Sequence, residues 1–315
     1  MKHTIKVTFI IIALFLISQL VGLVTVNKHI IVFKDVETGN ITITHPDTVL
    51  GPPAQVEHKS TSFFFIFIFI IIGTALLLLI IKFRVYKVWK FWFLIAVWAT
   101  MAVALGVYIN TFAAAAVALG LALWKIYKPN VYIYNLTEIF IYAGVTILLL
   151  PIINLFAAFG LLVFVSLYDM YAVWRSRHMI KMAKFQTKTK VFAGLLIPYA
   201  APKPEAEKAI EKIQKLEKEK TKLKKKRKFA VLGGGDIAFP MLFSAAVMEH
   251  LIIAQHFAKE YALALSALVS LFSAIALLIL LIKAKEDKFY PAMPFLSIGC
   301  FLGYLIVYLI AFLLY

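Results

Sequence analysis

Val165-Ser-Leu-Tyr-Asp169 and Leu232-Gly-Gly-Gly-Asp236 each set an aspartate inside an apolar run long enough to cross a membrane, and that conflict decides how the chain is read. A carboxyl at mid-bilayer costs at least ~2.5 kcal/mol on insertion scales, so an intramembrane acid marks a functional site by default. Two such acids, each flanked by residues that open the backbone, point to a pair acting together.

Of 315 residues, 63% are hydrophobic, 15% aromatic and only 16% charged, against about 25% charged in a soluble domain. This is the composition of a polytopic membrane protein. Nine apolar runs stand at 7–26, 62–82, 91–109, 111–125, 132–153, 155–174, 229–255, 261–282 and 290–314. Most approach the ~20 residues that a spanning helix needs, so the predicted fold class is an all-α membrane protein of nine transmembrane helices. The first run is longer than a signal-peptide core and no small-x-small site closes it, so it reads as a retained anchor. Cys300, the single cysteine, permits neither an intrachain disulfide nor a cysteine-ligated metal site within one chain.

Charge sets the expected orientation. Of 33 basic residues, 29 lie before the first run, at Lys82 to Lys90, at Lys125 and Lys128, from Arg175 to Lys228, or at Lys283 to Lys288. Lys28, Lys34, Lys59 and Lys259 occupy the alternate loops. The positive-inside rule therefore puts the N-terminus and the loop 175–228 in the cytoplasm and the C-terminus outside, in what is expected to be the cell membrane. The chain divides into a six-span half (1–174), a basic cytoplasmic loop (175–228) and a three-span half (229–315). That loop carries eighteen basic and five acidic residues, which is +13 of the net +17. From Lys203 to Lys228 no aromatic residue interleaves with the lysines, so the expected partner is anionic lipid headgroups and not nucleic acid. Glu205 to Lys228 is rich in helix formers and reads as a partly helical spacer. In the extracytoplasmic loop 27–61, His29 to Lys34, Glu37-Thr-Gly-Asn40 and Ile41 to Thr44 read as a short β-hairpin. His29, His45 and His58 are scattered, not spaced as ligands, and no metal or cofactor is expected.

Depth links the two acids. At 1.5 Å per helical residue, Asp169 lies roughly 9 Å below Arg175 and Asp236 roughly 12 Å below Lys228, on two helices that one loop joins. A facing pair at one level is the natural outcome. Two carboxyls a few ångströms apart do not both ionise readily, so one proton is shared. One then serves as general base on a water while the other donates to a scissile carbonyl, and the two titrate as a unit.

The neighbouring residues suit this use. Gly233, Gly234 and Gly235 let another backbone approach and weaken helix before Asp236. Pro240 lacks the N–H that would bond the carbonyl of Asp236. Irregular backbone at membrane depth requires a protein or water lining, so a wetted cavity at Asp236 is expected. Taken alone, the glycine triplet is equally a close helix-packing surface. A third element alters the balance: Pro291-Ala-Met-Pro294 opens the ninth run at the same cytoplasmic level, and its prolines bias Met293 toward extended geometry.

Tyr168-Asp169 in the sixth run, Gly233-Gly-Gly-Asp236 in the seventh and Pro291-Ala-Met-Pro294 at the ninth resemble, in order and spacing, the signature motifs of the presenilin and signal peptide peptidase family. Those proteins are intramembrane aspartyl proteases. The resemblance implies a presenilin-like bundle with Asp169 and Asp236 as catalytic dyad. Tyr168, Gly233, Gly234 and Gly235 would shape the site, and Pro291, Ala292, Met293 and Pro294 would help position substrate. Transmembrane peptides, including remnant signal peptides, are the substrates it implies, and the lysine-rich loop and single-chain form look archaeal. Gly234 stands where many members carry leucine or phenylalanine, and Met293 replaces the family's leucine, a volume-conserving change. Ala230, Val231 and Leu232, with Phe229, form a short β-compatible segment that could offer main-chain hydrogen bonds to an unwound substrate as an added strand.

Two other classes fit parts of the pattern. A cation channel or proton-coupled transporter would also bury aspartates near broken helices, but inverted repetition is not visible. A prepilin-type aspartyl peptidase shares a glycine-aspartate motif without requiring Pro291-Ala-Met-Pro294. Glu138 and Glu249 fall near the ends of their runs, where snorkelling or a helix-helix hydrogen bond would accommodate them.

Overall fold

Asparagine starts three helices in the N-terminal half. Asn110 accepts from the Ala113 N–H, Asn130 from Tyr132 and Asn154 from Ala157, at 2.8 to 3.0 Å. Each side chain satisfies an amide that a helix start leaves unpaired, which lets one apolar run follow another across a very short connector. The computed structural model describes residues 5–83 except 36 and 38, together with 85–176, 182, 185, 192–200, 227–284 and 290–314.

Nine α-helices occur among these residues: α1 (Ile5–His29), α2 (Ser62–Phe83), α3 (Tyr86–Gly106), α4 (Thr111–Tyr127), α5 (Val131–Leu149), α6 (Leu155–Met170), α7 (Gly235–Ala254), α8 (Lys259–Lys283) and α9 (Met293–Leu314). Eight are long and apolar enough to cross a membrane, while α4 has 17 residues. At 1.5 Å per residue α4 spans about 26 Å, slightly less than a ~30 Å hydrocarbon core.

Burial ranks the helices. In α7 every residue from Pro240 to Glu249 is buried, whereas α2 buries only Ser62, Phe63, Ile66 and Leu77. Most of the other apolar side chains of α2, such as Phe64, Phe65 and Phe69, thus face away from the bundle, and α7 is its axis. Around it, α1 packs against α5, α7 and α8, α6 against α2, α7 and α9, and α3 against α4 and α5. Helices approach closely where side chains vanish: a Cβ on Gly144 would sit 1.8 Å from the Thr100 carbonyl oxygen, so α3 and α5 touch backbone to backbone there.

Two antiparallel ribbons complete the fold. The hairpin predicted within 27–61 forms from β1 (Ile31–Lys34) and β2 (Ile41–Thr44), with Ile31 opposite Thr44. Its turn uses Gly39 at φ +70°, a left-handed conformation that glycine adopts without strain. The second ribbon pairs β3 (Gly194–Ala200) with β4 (Arg227–Gly233), Leu196 opposite Val231.

That second ribbon corrects the seventh predicted span. Residues 229–233 are strand, and helix begins only at Gly235. The apolar run there is continuous, but three glycines break its helix propensity and β3 supplies backbone partners. The helical reading of Glu205 to Lys228 lies outside the described residues, except that Arg227 and Lys228 open β4. Met293 is also corrected: it is the first residue of α9 and not extended. Pro294 falls in the opening turn, where a missing N–H costs nothing.

Candidate active site

Asp169 is the penultimate residue of α6 and is buried at 4% exposure. Directly after it the chain winds as a π-helix over Tyr171–Arg175, a local widening that often marks functional positions. Asp236 is the second residue of α7 and half-buried. The helices pack together, which brings Asp169 near enough to Asp236 for the two carboxyls to influence each other electrostatically. The two acids, 67 positions apart in the chain, therefore belong to one electrostatic site.

Backbone amides hold both carboxyls. Asp169 Oδ2 accepts the Met293 N–H at 3.1 Å, and the carboxyl also takes the Ala292 N–H. Asp169 of α6 thus caps the N-terminus of α9 from outside, meeting amides that a helix start leaves unpaired. Here lies the physical use of Pro291-Ala-Met-Pro294: the motif presents two free amides, one proline before them and one after. The Gly233 N–H donates to Asp236, and a Cβ on Gly233 would lie 3.1 Å from Asp236 Oδ2. The first glycine of the triplet is small because the carboxyl folds back onto it.

The remaining predicted residues lie on α6, on β4, at the start of α7 and at the start of α9. Tyr168 is half-buried with its ring edge-on to Phe67 of α2, centroids 6.1 Å apart. Ala230 and Leu232 are buried on β4, and Val231 between them is 45% exposed. The Gly234 N–H donates to the Ala193 carbonyl at 3.1 Å, tying the triplet to the start of β3, while Gly235 opens α7. Pro291 and Met293 are buried, Ala292 and Pro294 half-buried.

Alternation in the ladder shows which strand edge is open. Asn135 of α5 bonds both main-chain groups of Leu196, donating to its carbonyl and accepting its N–H, each at 2.9 Å. Leu196 therefore points its groups away from β4, and its partner Val231 points its own away from β3. The next such pairs, Pro198 with Phe229 and Gly194 with Gly233, obey the same phase. Pro198 has no N–H to give, and the N–H of Gly233 goes outward to Asp236. The open edge of β4 thus runs from Phe229 through Val231 and ends at the Asp236 carboxyl.

Several supporting groups were not legible as such in the sequence. Gln19 of α1 donates to the Ile237 carbonyl at 2.9 Å, and Ser270 of α8 donates to Gln19 Oε1 at 3.3 Å, so two further helices reach the first turn of α7. Glu138, expected to snorkel or to bond a helix, is 1% exposed and bonds both Lys125 Nζ of α4 and the Tyr142 hydroxyl. Lys125 is consequently a core residue and no longer counts as a loop charge. A Cβ on Gly234 would lie 3.0 Å from the Tyr142 hydroxyl, which brings this buried network up to the glycine triplet. The only sequence signal was the polar spacing Tyr134, Asn135, Glu138, Tyr142 in an otherwise apolar helix. Glu249 has a partner too, His45 Nε2 at 3.2 Å, which links the segment after β2 to α7.

Comparison with known proteins follows the same outline. A comparison with curated protein sequences gives no match. Among solved structures, a presenilin family intramembrane aspartate protease in a C222 crystal form aligns with TM-score 0.57 at 16% identity, covering 96% of this chain and 99% of that one. A presenilin family protease in a P2 form aligns with TM-score 0.54 at 16% identity, covering 95% and 96%. At that identity the likeness establishes the fold. The family model described as signal-peptide peptidase, presenilin aspartyl protease matches residues 12–313, and on that match this chain belongs to the signal peptide peptidase and presenilin family of aspartyl proteases.

Proposed function

We propose that the protein is an intramembrane aspartyl endopeptidase that cuts peptide bonds within transmembrane helices or remnant signal peptides, with Asp169 and Asp236 as the catalytic dyad. The observation that carries this reading is the joint setting of the two acids. They share one electrostatic site, main-chain amides hold each of them, and one lies at the end of an open strand edge.

In the resting dyad one proton is shared. The ionised carboxylate takes a proton from water as the oxygen attacks the scissile carbonyl carbon, and the protonated partner gives its proton to the carbonyl oxygen. The resulting gem-diol collapses: the C–N bond breaks, the nitrogen takes the proton held by one carboxyl, a diol hydroxyl gives its proton to the other carboxylate, and a carboxylic acid and an amine leave. Each water hydrogen and oxygen is accounted for in the products, and the dyad returns to one shared proton. No cofactor enters this scheme.

A helical substrate hides its carbonyls in internal hydrogen bonds, so attack requires that the helix open first. The Val231 edge supplies replacement main-chain bonds, as an added strand, and delivers the opened segment to Asp236 two steps further on. Recognition through main chain explains how varied apolar sequences could serve as substrates. Tyr168, Ala292 and Met293 would form the walls near the reacting carbonyl, with Pro291 and Pro294 fixing the last two.

The direct test is cleavage of a model transmembrane peptide by purified protein. Asp169→Asn and Asp236→Asn should each lower turnover to background, a loss of at least about a hundredfold, while thermal melting stays cooperative. A hydroxyl-containing transition-state analogue should inhibit the wild type. Substantial turnover by either variant would falsify the dyad.

A further inference from the structure

One face of α5 reaches the ribbon and the glycine triplet. The Tyr134 hydroxyl accepts the Phe192 N–H at 3.1 Å, Asn135 holds both main-chain groups of Leu196, and Tyr142 lies against Gly234. Glu138, between them, is anchored to Lys125. Of these groups, Asn135 has a distinct geometry. Its amide offers one donor and one acceptor to a single residue of β3, the same pair of bonds that a neighbouring strand would make.

An apolar two-stranded ribbon has little to set its register. Within the described side chains, Leu195, Ile197, Ala230 and Leu232 are buried on one face, and the strands end in glycines at Gly194 and Gly233. Register slips most readily in short ribbons of this kind, and a slip of one residue reverses every side chain. A two-point bond from a helix packed into the core fixes one rung, and through it the whole ladder. It also decides which residues of β4 face outward.

We infer that Asn135 is a positioning residue that determines cleavage register: its side chain closes the outer edge of β3 as a substitute third strand, so that a substrate strand adds only at the Val231 edge and in the frame that ends at Asp236. This inference rests on the proposed proteolysis. It differs from a purely structural role, in which Asn135 would satisfy two buried backbone groups and leave the choice of scissile bond unaffected.

The test uses full-length protein and one transmembrane peptide, with products identified by mass spectrometry. Asn135→Leu keeps the size and removes both bonds. It should raise KM about three- to tenfold, the range expected from loss of one or two hydrogen bonds, and leave kcat within about twofold. A second product should appear, displaced by one strand repeat of about two residues. Asn135→Gln retains both amide groups on a longer arm and should restore part of the single-site product pattern. Wild-type kinetics and a single unchanged cut in Asn135→Leu would overturn the inference, as would loss of kcat with KM and products unchanged. Wild-type protein that cuts no peptide would instead defeat the underlying reading.

Should Asn135→Leu fail to fold, amide hydrogen exchange in Asp169→Asn, which leaves Asn135 and β4 intact, decides the matter. The Leu196 amide should be protected before the uncleaved peptide is added, and the Val231 amide only afterwards. Peptide protection of neither amide, or a Leu196 amide that exchanges freely without peptide, would overturn the inference.

Discussion

Individual polar residues in this bundle are explained by what they touch. Lys125 and Glu138 are both about 1% exposed and bonded to each other, with Tyr142 on the second carboxylate oxygen and the Tyr134 ring 4.2 Å from the ammonium. A buried pair of this sort is costly to break, because the surviving charge has neither water nor partner. Glu138→Gln should therefore destabilise the protein by about 3 to 5 kcal/mol. The double change Lys125→Met with Glu138→Leu should recover most of that loss, since it removes both charges. Thermal melting of the two variants in one detergent is the check, and a Glu138→Gln protein that melts like the wild type would remove the ion pair from the account. The same logic applies to Asp169, whose carboxyl answers the amides of Ala292 and Met293. At this scale the sequence displayed the acids and the proline motif but not their contact, because a hydrogen bond between positions 169 and 293 depends on how α6 and α9 cross.

Among the elements, β4 has the clearest functional consequence. Its buried residues Ala230 and Leu232 face the core, while exposed Val231 turns its main-chain groups toward the open edge. Val231→Pro removes the outward donor without touching the bonds to β3, and should reduce cleavage of a transmembrane peptide at least about fivefold, the value of one lost main-chain bond. Val231→Ala keeps the donor and should cut within about twofold of wild type, because the side chain is not what is read. Equal activity in Val231→Pro and wild type, both folded by thermal melting, excludes strand addition at this position. The apolar run from 229 to 255 resembled one spanning helix in composition, and only partner availability made its first five residues strand. Hydropathy reports depth, and depth is the same for a strand paired in the protein interior as for a helix.

For the whole molecule, the testable property is orientation. The basic loops predict that a cysteine near Lys218 reacts with impermeant reagents only from the cytoplasmic side, and one at Thr44 only from the other. Cys300 is buried and would not compete for the reagent. Reversed labelling would place the N-terminus outside. Sequence by itself determined the membrane class, the count of apolar runs, the hairpin after α1 and the three motifs, since each depends on local composition, turn residues or spacing. Its estimate that Asp169 and Asp236 lie at one depth used a helical rise from Lys228 onward that residues 229–233, being strand, do not have. Tertiary structure alone decided that α7 is the axis of the bundle, that Asp169 caps α9 at Ala292 and Met293 and that Gly233 lies against Asp236. It likewise turned Glu138 from a boundary acid into a core ion pair and brought Asn135 to the edge of β3. These contacts join residues far apart in the chain, and their formation depends on which helix faces pack, a choice made by the fit of many side chains at once.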